Sequence, residues 1–331
     1  MLTIEKWMGY IMTKQPKVTI VMTVYNGQRY IEDSIKAIYK SDYKNYELVC
    51  IDDGSTDESH TICHKFNLKY DNFKYYRQEN HGLAYSRNLG VHLATGEYIT
   101  FVDADDLISP HMITYLIQMI NKFQADIAYV KLQTFLRETE IGKTSHKIKE
   151  EVCTTEQALE RYFDKGWGNV CGGIFSRELF HNVKFPVGLI YEDNVAKLQL
   201  FINASRIVLT NNPLYYYRKT NDSITTKKVS FKNLDILRVG YKQEIIIRNS
   251  QRKISNKIKK KNYQMIANTC YELLDNLLQI DEKWPRLSKI VPMRYIMKIL
   301  FFGLMEKPAD RVYICFRTLK KYLMNSELIK N

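Results

Sequence analysis

Short apolar runs alternate with longer stretches whose apolar residues recur every three or four positions, and this alternation organises the first two thirds of the chain. The segment Pro16 to Asn26, with Val18, Ile20, Val21, Met22 and Val24, predicts a strand that ends in polar residues. Ile31, Ile35 and Ile38 then share one face of a helix. Glu47 to Ile51 predicts a second strand, followed by a helix from about Asp57 with Ser55 or Thr56 as its cap. Gly82 to Leu93 reads as a helix that leads through Thr95-Gly96-Glu97 into a strand at Tyr98 to Val102. Ser109-Pro110 opens another helix, with Ile113, Leu116, Ile117 and Ile120 on its buried side, before a strand at Asp126 to Val130. Such alternation predicts a doubly wound α/β domain. From about Ser230 the pattern turns helical. Tyr263 to Ile280 places Ile266, Cys270, Leu273, Leu274, Leu277 and Leu278 on one stripe, and Val312, Cys315, Leu319 and Leu323 form a second.

Two of the predicted strands close on carboxylates. Leu48-Val49-Cys50-Ile51 runs into Asp52-Asp53-Gly54-Ser55-Thr56-Asp57, and Tyr98 to Val102 runs into Asp103-Ala104-Asp105-Asp106. Runs this apolar are strands buried on both faces of a parallel sheet. Open α/β sheets bind ligands beyond the carboxyl ends of their strands. Two acidic groups converging there suit a divalent cation and a nucleotide better than a core.

Length and charge set the wider frame. The 331 residues suffice for one main domain and a smaller one. The net charge of +13 is unevenly spread: residues 1–227 hold 27 basic and 27 acidic side chains, and residues 228–331 hold 22 and 9. The shift divides the chain into an extension (1–16), an α/β domain (17–227) and a basic helical region (228–331). Six cysteines show neither C-x-x-C spacing nor disulfide density, which points to a reduced, cytoplasmic setting. Met1 to Tyr10 lacks the apolar stretch of a signal peptide or anchor, and Met12 is a candidate start. Val291 to Met305 is broken by Pro292, Arg294 and Lys298 and is too short to span a bilayer.

In order, Thr23-Val24-Tyr25-Asn26, Ile51 to Asp57, Ser86-Arg87-Asn88-Leu89-Gly90, Ala94 to Ile99 and Val102 to Asp106 resemble the family 2 glycosyltransferases, inverting enzymes of the GT-A fold that use nucleotide-diphospho sugars. The resemblance covers about Lys17 to Thr226. It implies a GT-A type doubly wound mixed sheet and Mn²⁺ or Mg²⁺ held by Asp105 with Asp103, the latter facing the ribose. It implies that Asp53 accepts a hydrogen bond from the uracil ring, with Asp52 sharing that task or organising the Gly54-Ser55 turn. Thr23 and Tyr25 lie beside that site, Tyr25 on the base or as a core-edge aromatic. Arg87 faces the nucleotide or is a surface helix arginine. Glu192-Asp193 matches the motif that carries the catalytic base, the role given to Asp193; the pair alternatively caps a helix at Asn194 to Phe201. Arg218, after Tyr215-Tyr216-Tyr217, clamps the diphosphate or lies on a β-edge, and Ser223 and Thr225 supply hydroxyls from a loop. Trp167 lines an acceptor pocket or belongs to the core, and His81 is a structural loop residue.

The resemblance further implies a UDP-sugar donor and a lipid-linked glycan acceptor in the synthesis of cell-surface polysaccharide. The basic run Arg252 to Lys261 is a solvated face or contacts an anionic membrane surface, worth about 1 kcal/mol per basic residue. The latter would place the protein peripherally on the inner face of the cell membrane. No nucleic-acid recognition motif accompanies the charge. Two other readings are a sugar nucleotidyltransferase, for which Val24-Tyr25-Asn26-Gly27 is a poor phosphate loop, and a non-catalytic glycan-binding scaffold.

Overall fold

The computed structural model describes residues 15–142, 147–165, 169–220, 229–277 and 291–299. Nine strands among them form one mixed sheet in the order β3-β2-β1-β4-β8-β6-β9-β5, with β7 also on β9. β1 (Val18–Val24), β2 (Tyr46–Asp52), β3 (Phe73–Arg77) and β4 (Tyr98–Phe101) are parallel. β8 (Gly173–Ser176) runs antiparallel between β4 and β6 (Ile127–Phe135), and β9 (Ile207–Arg218) lies parallel to β6. β5 (Leu107–Ile108) and β7 (Glu150–Cys153) pair antiparallel with the two halves of β9.

The central strands form where expected because their runs are apolar on both faces. Every residue of β2 is buried, as are six of the seven in β1. Ile31, Ile35 and Ile38 are buried on α1 (Ile31–Tyr39). α2 (Ser59–Lys69) begins two residues later than expected, without a side-chain cap. Ser55 is drawn away from capping: its hydroxyl accepts the Asn26 amide at 3.0 Å. α3 (Leu83–Leu93) crosses β1 so closely that a Cβ on Gly90 would overlap Val21 Cγ1. α4 (Met112–Phe123) buries the four expected residues, Ile113, Leu116, Ile117 and Ile120. The edge strand β3, the two-residue β5 and the short β7 carry too little apolar signal to be read from sequence.

Register fixes where the chemistry lies. Val24 stands opposite Asp52, and Val21 opposite Phe101. The ladder continues one residue further on each side, with Asp53 N–H donating to the Val24 carbonyl at 2.9 Å and Val102 N–H to the Val21 carbonyl at 3.0 Å. Both acidic clusters therefore emerge at the same end of the sheet. β9 is irregular against β6: Leu209 faces Tyr129, but Pro213 already faces Lys131. Proline lacks the amide a regular ladder needs, and bulges tolerate it. Beyond that break, Tyr215 and Tyr216 pair with β5 and Arg218 reaches the Asp103–Asp106 loop.

α5 (Thr155–Lys165) and α6 (Glu192–Asn203) join the core behind the sheet, and α7 (Asp235–Asn249), α8 (Asn256–Leu277) and α9 (Met293–Lys298) pack beyond them. Part of the basic run docks α8 on α5. Lys257 pairs with Glu160 at 2.7 Å, Lys261 pairs with Asp164, and Arg252 donates to Thr155 Oγ1 at 2.8 Å and to the Asn203 carbonyl at 3.3 Å. These cations are engaged within the protein. No described helix is long and apolar enough to cross a membrane.

Candidate active site

The first acidic cluster is tightly bonded. Asp52 Oδ1 accepts the Ser55 amide at 2.8 Å, and Oδ2 accepts the Tyr75 hydroxyl at 2.5 Å. Asp53 accepts from Gln78 Nε2 at 2.7 Å, the His81 amide at 3.0 Å and the Gly82 amide at 2.8 Å. The pair thus sets the 54–55 turn and the approach to α3. Gly54 has φ +78°, and a Cβ there would press on the Asn80 backbone nitrogen. A carboxylate offers about four lone-pair sites, so Asp53 retains acceptor capacity beyond its three donors. Thr23 is half-buried near the end of β1, and Tyr25 just beyond it is 54 % exposed, so core packing does not account for this ring. The amides of Asn26, Gly27 and Gln28 donate to Ser55 Oγ, Ser59 Oγ and Asp57 Oδ2. This segment therefore has no free run of amides to cradle phosphates.

The three aspartates of the second cluster have separate duties. Asp106 is fully buried and accepts the Tyr215 hydroxyl at 2.7 Å and the Arg218 amide at 2.8 Å, stitching β9 to the loop. Burial, with Asp103 and Asp105 nearby, holds its carboxyl well above the usual range. Asp103 accepts Arg87 Nη2 at 2.9 Å. Asp105 has no ion-pair partner among the described residues; burial and the adjacent Asp103 push its carboxyl up to about 6. Arg218 donates Nε to the Asp105 carbonyl at 2.8 Å, between the rings of Tyr30 (4.9 Å) and Phe135 (4.8 Å). Its Nη2 is buried without a hydrogen bond, 3.7 Å from Glu138 Oε1. A guanidinium whose Nη2 lacks a hydrogen bond suits an anionic ligand.

Glu192 and Asp193 open α6 directly after Tyr191, a non-glycine residue at φ 63°. That conformation costs roughly 1–3 kcal/mol. Glu192 is buried and accepts Arg87 Nη1 at 2.6 Å. Arg87 is therefore neither a surface residue nor free to turn outward: it joins Asp103 to Glu192. Burial opposes its charge, and Asp103 and Glu192 more than offset that, so the guanidinium stays protonated. Asp193 accepts the Asn194 amide at 2.9 Å on Oδ1. Burial and Glu192 push its carboxyl up to about 7, against the pull of Arg87.

One turn on, Lys197 is buried, donates to the Asn169 carbonyl at 2.9 Å and lies 3.9 Å from the Tyr129 ring centroid. Burial lowers its ammonium to about 7, with Asp193 pulling the other way. Sequence reading passed over Lys197. The available signal was its i+4 spacing from Asp193 in a helix otherwise rich in Val195, Ala196, Leu198, Leu200 and Phe201. Ser223, Thr225 and Trp167 lie outside the described residues.

Asp103 and Asp105 fit a hard cation. They are neighbouring carboxylates, Asp105 without an ion-pair partner among the described residues, and oxygen is the donor such ions prefer. No set of three or more His, Cys, Asp or Glu among the described residues encloses a metal. The remaining ligands would have to come from water or a phosphate-bearing substrate.

Residues 19–183 match the family described as Glycosyl transferase family 2. Glycosyltransferase GlyG of Streptococcus pneumoniae serotype 4 is 30 % identical over 218 residues, spanning 62 % of this chain and 72 % of that protein. The chain belongs to glycosyl transferase family 2. Among other relatives, the minor teichoic acid biosynthesis protein GgaB of Bacillus subtilis is 24 % identical over 220 residues, which span 65 % of this chain but only 24 % of GgaB. In fold, the chain is similar to residues 1–349 of S. aureus TarS crystallised with UDP-GlcNAc, with a TM-score of 0.63 at 20 % identity over 93 % of this chain and 87 % of that one. The family 2 match ends at residue 183, ahead of Glu192-Asp193.

Proposed function

We propose that this glycosyltransferase inverts the anomeric centre while moving a sugar from a UDP-sugar to a hydroxyl of a glycan acceptor. The observation that carries the reading is the Arg87 bridge, which brings Asp103 and Glu192, and with Glu192 the adjacent Asp193, to one place. The acceptor oxygen attacks the anomeric carbon, its proton passes to Asp193, and the bond from that carbon to the diphosphate oxygen breaks with both electrons leaving on UDP. A positioned base supplies about 10²–10⁴-fold. Asp193 suits the task because its raised carboxyl takes a proton near neutrality. Arg87 fixes the positions of Glu192 and Asp103 through its two amino groups. Arg218 Nη2 meets the departing phosphate. Asp53 and Tyr25 bind the base and Thr23 lines the same end of β1. Mn²⁺ or Mg²⁺ on Asp105 and Asp103 would neutralise charge developing on the diphosphate.

UDP as the nucleotide is supported by the fold shared with TarS, which was crystallised with UDP-GlcNAc. A role in cell-surface polymer synthesis is supported by likeness to GgaB, and the proposed acceptor is lipid-linked. Contact with an anionic membrane would fall to cations of the basic region outside the α5–α8 ion pairs. The test is nucleotide release from UDP-GlcNAc, UDP-Glc and UDP-Gal by the purified chain with Mn²⁺, with and without saccharide acceptors. Release from one donor, raised by acceptor, supports the reading; no release and no binding of UDP or Mn²⁺ by calorimetry refutes it.

A further inference from the structure

The segment that carries Asp193 is also held by the helix after it. We infer that Asp235, at the start of α7, and Gln243, in its middle, are positioning residues for the base; this rests on the role proposed for Asp193. Asp235 Oδ2 accepts the Ile190 amide at 3.2 Å, and Lys232 (2.7 Å) and Arg238 (3.3 Å) balance its buried charge. Two turns along α7, Gln243 is fully buried, and its Nε2 donates to the Asn194 carbonyl at 3.2 Å and to the Tyr162 hydroxyl at 2.7 Å. Tyr162 in turn donates to the same Asn194 carbonyl at 2.9 Å. Ile190 and Asn194 flank Glu192 and Asp193, so both ends of the turn are pinned to one helix.

Between the pins the backbone takes a course it would not choose alone. Tyr191 stands at φ 63°, where an L side chain is disfavoured. Its hydroxyl accepts Asn233 Nδ2 at 2.8 Å, and its ring, with Leu189, packs against the cluster of Val195, Leu234, Ile236 and Leu237. Lys232 adds a bond from Nζ to the Gly188 carbonyl at 2.6 Å. Residues 229–249 thus brace the turn that carries Asp193 next to Glu192, the residue that meets Arg87. Hydrogen bonds to the main chain of a turn act on orientation, and small misplacements of a catalytic group cost rate steeply. Among the described residues, no hydrogen bond or ion pair of this arrangement reaches Asp53, Asp105 or Arg218. Donor binding and acceptor activation are therefore separable.

The test compares full-length Asp235→Ala, Asp235→Asn and Gln243→Leu with the parent. Expected for Asp235→Ala and Gln243→Leu is a fall in kcat of about 10- to 100-fold, with the Kd for UDP in Mn²⁺ within about twofold of the parent. Amide hydrogen exchange should quicken across 188–195 and stay unchanged across 100–106. Asp235→Asn keeps an acceptor for the Ile190 amide and should retain about half of the parental kcat or more. Parental kcat and unchanged exchange in Asp235→Ala and Gln243→Leu overturn the inference. So does a lower kcat accompanied by loss of UDP binding, since that is damage to the whole fold. A parent that releases no nucleotide from any donor defeats the functional reading instead, and the exchange comparison then decides the bracing alone.

Discussion

Arg87 on α3 and Glu192 at the start of α6 are 105 positions apart in sequence, yet Nη1 and Oε1 meet at 2.6 Å with both side chains almost fully buried. The other amino group of the same guanidinium holds Asp103 at 2.9 Å. One planar fork thus ties the loop after β4 to the helix that bears the proposed base.

Removing that fork strands two carboxylates. Arg87→Met is expected to lower unfolding free energy by about 3–5 kcal/mol, as when one partner of a buried ion pair is lost. Arg87→Lys should recover only part of this, because an ammonium cannot meet both carboxylates in the forked geometry. Urea unfolding of the two variants at pH 7 checks the order; equal stability of all three proteins would contradict it.

Asp193→Asn should lower kcat by about 10²–10⁴-fold while UDP affinity holds. In the parent, kcat should rise as pH increases through about 7, where Asp193 loses its proton and becomes a base. Stability runs the opposite way. The folded Asp193 keeps its proton up to about 7 while the unfolded one loses it near 3.8, so across that window the native state binds more protons and unfolding free energy falls as pH rises. Asp193→Asn should therefore be more stable than the parent at pH 8, by something on the order of 1 kcal/mol. Thermal melts at pH 5 and pH 8 read the difference.

Lys197→Met removes a buried cation one turn from Asp193. The alkaline-rising limb of kcat should move to higher pH, since the carboxylate loses a neighbour that favours its charge. A pH–rate profile with an unmoved limb would show that Lys197 does not act on the base.

Chelation should abolish transfer, and added Mn²⁺ should restore it. Asp105→Asn should lose roughly 10²-fold or more in kcat/KM even at high Mn²⁺, given the several kcal/mol a cation supplies to a developing phosphate charge. Isothermal calorimetry of Mn²⁺ with UDP on both proteins gives the binding half of the result.

Gly90→Ala tests the close crossing of α3 over β1. Alanine is the better helix former by about 1 kcal/mol, yet its methyl group would overlap Val21 Cγ1 in a filled core. A net loss of about 1–3 kcal/mol is expected, as for other overpacked cores. Denaturant unfolding measures it, and Gly90→Ala with Val21→Ala should recover part of the loss.

The local chemistry was legible without coordinates. The apolar runs within Pro16 to Asn26 and at Leu48–Ile51 read as strands covered on both sides, as β1 and β2 are, and carboxylates following such strands belong at the ligand-binding end of a sheet. The periodic faces of α1 and α4 were equally plain. These are properties of neighbouring residues, and hydrophobic spacing reports them directly. Tertiary structure alone decided what the charged side chains do. By default a lysine or arginine is solvated, because burying a charge is costly; Arg87 and Lys197 depart from that only through partners distant in sequence. Asp106 and Asp105 are adjacent and chemically identical. Asp106 is consumed by Tyr215 and Arg218 after the break in β9, and Asp105 has no ion-pair partner among the described residues. The basic run divides in the same way, since Lys257 and Lys261 are engaged only because α5 presents Glu160 and Asp164 beside them. Spacing along the chain states which groups are present and on which face, whereas long-range packing determines which of them meet.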